Sequence, residues 1–397
     1  MLILGRRLLA SSVVALVAVA GACTDNQQSS GSGSKGSDDK ASSATKISVT
    51  DSGTDCKLSK VEAPSGNIVF SVTNAGSDVT EFYLLAEDGK TIVGEVENIG
   101  PALSRDLVVH ADPGSYVTAC IPGMTGEGHR GAFTVTDSGE KSASNGEIQQ
   151  LQSAAVAQYK SYVDQQVGEL LTQTKAFAAA YKAGNDDEAR KLYAPTRAYW
   201  ESIEPVAESF GDLDPRLDLR EADLEADQEW TGWHQIEKQL WPPAGFTEID
   251  TPEQRASMAD RLVADTSELE QKVKSITFKA DQMGNGAKEL LDEVATGKVT
   301  GEEEKWSHTD LWDFQANVDG ARLAYQALRP IVLIKDKSLA TQLDTEFAAI
   351  QAELDKYKTA DGFQYYNQLS PDQVKQLSDS VNALSEPLSH LTSVVVL

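Results

Sequence analysis

Residues 132–184 read AFTVTDSGEKSASNGEIQQLQSAAVAQYKSYVDQQVGELLTQTKAFAAAYKAG, and the apolar period changes inside this stretch. The run from Ala132 to Val135 is short, β-rich and bounded by Gly131 and Asp137, as a strand is. From residue 147, Tyr159, Tyr162, Val163, Leu170, Leu171, Phe177 and Tyr181 recur at helical spacing, and Gly184 is a stop signal. The polar residues 138–146 between them read as a linker. The stretch thus divides the chain into a strand-built part and a helix-built part.

Working upstream, residues 46–137 hold runs bounded by Gly, Pro or Asp: Ile47 and Val49 alternating with polar residues, Asn67 to Thr73, Leu107 to His110, and Tyr116 to Cys120. Glu81 to Glu97 reads as a hairpin turning at Glu87-Asp88-Gly89-Lys90. About seven short strands in this length predict a β-sandwich. Downstream, helices are expected near 147–183, 186–209, 222–241, 252–282, 285–296, 302–328, 337–358 and 371–394. Thr251-Pro252 with Gln254, and Ser370-Pro371 with Gln373, are capping boxes with proline at the first helical position. No strand-like run intervenes, so residues 147–395 predict an all-α bundle.

The first residues carry a different signal. Arg6 and Arg7 precede an apolar stretch from Leu8 to about Ala20, followed by Ala20-Gly21-Ala22-Cys23. This reads as an export leader over 1–22, with small residues before a cysteine as at bacterial lipoprotein cleavage sites. Lipidation of Cys23 would anchor the mature chain to the outer face of the cell membrane, and the Gly/Ser-rich residues to 45 would be a flexible tether. Simple secretion is the plainer alternative. Outside the cytoplasm, the two remaining cysteines, Cys56 and Cys120, form the kind of pair that is usually a disulfide.

The chain of 397 residues is long enough for about two domains, and with 61 acidic against 35 basic side chains its formal charge is −26. Such a surface repels nucleic-acid phosphates and attracts cations. The bland alternative is acidity that only maintains solubility.

Two spacings sharpen the cation reading. Glu201 and Glu204 are three residues apart, and so are His234 and Glu237; on helices each pair shares a face. Two such helices facing each other offer three carboxylates and an imidazole, a donor set suited to iron or manganese. Structural zinc favours cysteine and histidine instead. Taken alone, both spacings are common on solvated helix faces, and Trp230, Trp233 and Trp241 fit a core better than a ligand site.

Longer segments surround these residues. Leu192 to Arg197 reads LYAPTR, Ile203 to Pro215 IEPVAESFGDLDP, Gly232 to Trp241 GWHQIEKQLW, and Ser307 to Ala321 SHTDLWDFQANVDGA. Together they resemble the EfeO family, components of elemental ferrous-iron uptake systems of the EfeUOB type. Its members join a cupredoxin-like sandwich to an imelysin-like helical domain with a GxHxxE motif. The resemblance spans essentially all of 147–395. It implies that His234 and Glu237 are metal ligands, with Glu201, Glu204 and Asp218 as partners. Glu302 is a further candidate, from the Gly301-Glu302-Glu303 that precedes the SHTDLWDF run, and Glu303 is its alternative. Asp310, Asp313 and Asn317 form a polar stripe better suited to hydrogen bonding than to ligation. The resemblance also implies a membrane iron permease and a haem peroxidase as partners.

In the strand-built part, Asn74 to Phe82 resembles the cupredoxin segment that ends in His-Glu-Phe, but Thr80 stands where the histidine would be. Met124 precedes His129, the reverse of blue-copper loops, so a copper electron-transfer site is not expected. The family implies instead a separate metal site, for copper or zinc, at Cys56, Glu81 and Cys120; a Cys56–Cys120 disulfide is its rival.

Three functions compete. Capture and delivery of ferrous or ferric iron is the leading one. A metallopeptidase is the alternative, but a zincin needs H-E-x-x-H, and the chain's five histidines, His110, His129, His234, His308 and His390, include no such pair. Binding of a polyanionic sugar is disfavoured by the negative charge unless a cation bridges.

Overall fold

Ile47 and Val49 are buried in β1 (Thr45–Asp51) while Lys46, Ser48 and Thr50 are exposed, the burial period of a strand covered on one face. The computed structural model describes residues 44–138 apart from Thr91, 146–224 and 228–397. The expected leader at 1–22, Cys23 and nearly all of both expected linkers lie outside the described residues. Eight further strands follow: β2 (Cys56–Leu58), β3 (Glu62–Pro64), β4 (Gly66–Asn74), β5 (Thr80–Leu85), β6 (Ile92–Ile99), β7 (Ser104–Ala111), β8 (Gly114–Pro122) and β9 (His129–Thr136). The short β2 and β3 are the two beyond the seven expected. They form sheets of order β2-β1-β4-β7 and β3-β9-β8-β5-β6. One apolar core lies between the sheets, with Phe70 from the first meeting Phe82 and Phe133 from the second at ring separations of 5.3 and 5.4 Å. The structure is a sandwich, as alternation predicts.

Cys56 of β2 and Cys120 of β8 are joined in a disulfide that links the two sheets. This corrects the expected metal site at Cys56, Glu81 and Cys120. The sulfurs are bonded to each other rather than held as thiolate ligands. Glu81 could not join them: it pairs with Ile121, whereas Cys120 pairs with Phe82, so Glu81 and Cys120 occupy opposite faces of the sheet. Glu81 sits instead on the outer face with Tyr83, Glu95 and Glu97. The bridge closes a loop of 64 residues. Its removal by Cys56→Ser/Cys120→Ser is expected to cost about 2–4 kcal/mol in denaturant unfolding, through the entropy returned to the unfolded chain. An unchanged midpoint would contradict this.

The helical part comprises α1 (Gly146–Lys182), α2 (Asp186–Glu201), α3 (Leu213–Asp218), α4 (Trp233–Leu240), α5 (Pro252–Val273), α6 (Ala280–Thr296), α7 (Asp310–Lys335), α8 (Lys337–Leu354), α9 (Pro371–Leu388) and α10 (Leu391–Val396). Both capping boxes form, at Thr251 and Ser370. Tyr159, Val163, Leu170, Phe177 and Tyr181 line the buried face of α1. Several expected helices are shorter or broken: 252–282 ends at Val273, 337–358 at Leu354, and 371–394 divides into α9 and α10. α2 stops at Glu201 and a 3-10 turn, Glu204–Phe210, follows with Pro205 at its start. Of the helix expected over 222–241, the described residues form a 3-10 turn, Glu221–Asp223, and α4. The one expected from 302 begins at Asp310, and 301–309 is an irregular loop.

Strands and helices meet along α6, which lies against β6 and β7. The His110 amide donates to Asp281 at 2.8 Å, the Asn285 side chain donates to the Val108 carbonyl at 3.0 Å, and Arg105 pairs with Asp292 at 2.8 Å. No helix among the described residues is long and apolar enough to cross a membrane.

Candidate metal centre

Three segments converge on His234. The first is α4, where the three-residue spacing puts His234 and Glu237 on one face, both fully buried. The second is the end of α3, carrying Asp218. Gly232 brings these two together: its φ is +89°, and a Cβ there would lie 2.1 Å from the Leu217 carbonyl oxygen, so only glycine permits the approach. The third is the loop 301–309, which supplies Glu303 and Glu304, both buried.

The geometry around the imidazole is specific. Its Nδ1 lies 3.1 Å from Glu237 Oε2. Its Nε2 is buried, has no hydrogen-bond partner, and faces Asp218 Oδ1 at 3.4 Å and Glu303 Oε1 at 3.5 Å. Ligand atoms of Asp218, His234 and Glu303 all lie within 4.8 Å of one another, as do those of His234, Glu237 and Glu304. The second oxygen of Glu237 accepts the amides of Trp306 and Ser307 at 2.9 and 2.7 Å, and Glu304 accepts the Ser307 hydroxyl at 2.6 Å. Loop 301–309 is therefore held to the very carboxylates it helps to assemble.

Two buried cations balance part of this charge. Arg197 of α2 pairs with Glu201 and Asp218 and lies 2.6 Å from Glu304. Lys298, wholly buried, sits 2.9 Å from Glu201 and 2.8 Å from Glu204. Asn317 donates to both of those glutamates, at 3.0 and 2.7 Å. Seven carboxylates, Glu201, Glu204, Asp218, Glu237, Glu303, Glu304 and Asp313, thus share three permanent cations, Arg197, Lys298 and the part-exposed Arg220 at 3.3 Å from Glu303, and one imidazole, and both Asp313 oxygens lack a hydrogen bond. Burial raises the carboxyls of Glu204, Glu304 and Asp313 well above the usual range. At His234, burial and Arg197 oppose protonation, but Glu237, Glu303 and Asp218 outweigh them and carry it up to about 10. Glu201, Glu237 and Glu303 go the other way: against burial, Lys298 and Arg197 at Glu201, His234 at Glu237, and Lys298, His234 and Arg220 at Glu303 hold them below the usual carboxylate range.

The expected ligands divide accordingly. The structure brings together His234, Glu237 and Asp218. It places Glu201 and Glu204 around Lys298 rather than against the imidazole, because α2 ends at Glu201 and the chain turns before Glu204. Glu302 is corrected: its side chain is half-exposed and lies 3.2 Å from Arg220, whereas Glu303 turns inward to His234. Glu304, Arg197 and Lys298 were not expected in the site at all. Only the quoted LYAPTR segment, which contains Arg197, touched on any of them. Asp310 accepts the Glu304 amide at 3.2 Å, supporting the loop.

An imidazole nitrogen with several carboxylate oxygens is a donor set for iron or manganese, and lacks the thiolates of structural zinc. Comparison with known proteins points the same way. Residues 155–391 match the Peptidase_M75 family model, described as imelysin. Over 360 residues the chain is 37% identical to the iron uptake system component EfeO of Yersinia pestis, covering 90% of this chain and 93% of that protein. Over 353 residues it is 35% identical to the EfeO component of Escherichia coli O1:K1 / APEC, covering 88% and 91%. With the motif segments, the convergent carboxylates and this near-complete coverage, the chain belongs to the EfeO family of iron uptake system components.

Proposed function

We propose that this chain captures iron at Asp218, His234 and Glu303, with Glu237 and Glu304 beside them, and passes it onward within an uptake system. The observation that carries the reading is the buried His234 Nε2, which makes no hydrogen bond and lies between two carboxylates at ion-pair distance. Glu237 fixes the ring through Nδ1, so that Nε2 is the nitrogen offered to the ion. Iron is the cargo here. The surplus of buried carboxylates supplies the negative charge that a di- or trivalent ion would neutralise.

The finer picture follows the family. The sandwich is cupredoxin-like and the helical part imelysin-like. The protein works outside the cytoplasm, tethered through Cys23, and its partners are a membrane iron permease and a haem peroxidase. The site holds the ion rather than hydrolysing a peptide: His234 is the one histidine in either ligand group, so the two-histidine zinc site of an H-E-x-x-H peptidase has no counterpart among the described residues.

The test is anaerobic titration of Fe²⁺ into the full chain and into His234→Ala/Glu237→Ala. Affinity at this site is expected to fall by on the order of 100-fold or more, with helical circular dichroism retained. Unchanged affinity in the folded variant would sink the assignment.

A further inference from the structure

A second carboxylate cluster lies away from His234, where the sandwich meets the helices. Glu95 comes from β6, Glu208 from the 3-10 turn 204–210, and Glu289 from α6. One oxygen of each lies within 4.8 Å of the other two. They line a cavity of about 20 Å³, bordered also by Gly94, Val206 and Asn285. The contact is built closely: a Cβ on Gly286 would lie 1.7 Å from the Pro205 carbonyl oxygen, so glycine alone lets the turn bearing Glu208 seat on the helix bearing Glu289.

The cluster is more than an acidic patch. Glu95 is 6% exposed and Glu289 8%, and among the described residues neither has a hydrogen-bond or ion-pair partner. Buried carboxylates are ordinarily paired, hydrogen-bonded or bound to a metal. The charges acting on Glu95 are all negative: Glu97, Glu208, Glu289 and Glu81. The neighbouring cation, Lys288, is 2.6 Å from Asp292 and so already engaged. Burial raises Glu289 to about 8 against the pull of Lys288, and raises Glu95 well above the usual range, where Glu97, Glu208 and Glu289 add to it.

We propose that Glu95, Glu208 and Glu289 form a second cation site, for a hard, oxygen-preferring di- or trivalent ion, which ties the sandwich to the helical part. Three oxygens at these separations match the spread of ligands around an ion with metal–oxygen distances of roughly 2.0–2.6 Å, and the cavity has room for one guest of water size. Because the three donors come from both parts of the fold, the ion would strengthen the contact along α6.

The proposal does not depend on the iron reading of the His234 site, and the test separates them. The full chain carrying His234→Ala/Glu237→Ala is titrated with Fe²⁺ anaerobically and, separately, with Ca²⁺. It is expected to retain one site for at least one of these ions. Binding of Fe²⁺ makes it a second iron site; binding of Ca²⁺ alone makes it a structural one. Adding Glu95→Gln/Glu289→Gln, which preserves shape and removes two charges, should weaken that site by on the order of 100-fold. The ion should raise the thermal midpoint of the parent and not that of the glutamine variant. The proposal is overturned if the parent binds neither ion, or if the glutamine variant binds as tightly as the parent.

Discussion

Lys298→Met is expected to lower the free energy of unfolding by about 3–5 kcal/mol, the usual cost of removing one partner from a buried ion pair. Lys298 has no solvent exposure and is the ammonium held between Glu201 and Glu204. Methionine fills much the same space, so the loss is electrostatic rather than a cavity. The two carboxylates left behind retain only Arg197, on Glu201, and the Asn317 amide. The measurement is urea unfolding of the metal-free protein. A loss below about 1 kcal/mol, the range of exposed pairs, would mean that the buried network contributes little.

The second large effect is on iron affinity as pH changes. In the metal-free protein His234 is held protonated to about pH 10, by its three carboxylate neighbours against burial and Arg197. A metal ligand must be neutral imidazole, so the ion displaces that proton. Affinity is therefore expected to fall about tenfold per pH unit as pH drops below 10, or roughly 100-fold between pH 8 and pH 6. Calorimetry in buffers of different ionisation enthalpy should show at least one proton released per iron. The proton has the opposite effect on the metal-free fold. A raised folded-state value gives stability that is complete below the ordinary histidine range and lost as pH rises through about 10. Binding without proton release would contradict this picture.

What the chain reveals before folding differs between elements. α1 was legible because its buried face repeats over 37 residues, and α5 and α9 because their caps leave a local signature at Thr251 and Ser370. The meeting of His234 with Glu237 needed only helical spacing. The choice between Glu302 and Glu303 was not legible, because 301–309 has no period to assign an inside and an outside. Arg197 and Lys298 were missed because basic residues are ordinarily surface residues; only the folded carboxylate cluster explains their burial. Glu81 joins the cysteines only through the family resemblance; strand register, a long-range property, sets it on the other face, since one residue of offset reverses the side. Glu95, Glu208 and Glu289 lie on three separated segments and have no common motif.

Anaerobic Fe²⁺ titration of Glu303→Gln beside Glu302→Gln tests the proposal that Glu303, not its neighbour, completes the site with Asp218 and His234. Glu303 lies 3.5 Å from His234 Nε2 and 3.3 Å from Arg220, while the half-exposed Glu302 reaches Arg220 alone. The expected result is a loss on the order of 100-fold for Glu303→Gln and a change within about twofold for Glu302→Gln. Loss of iron binding in Glu302→Gln with Glu303→Gln unaffected would contradict it.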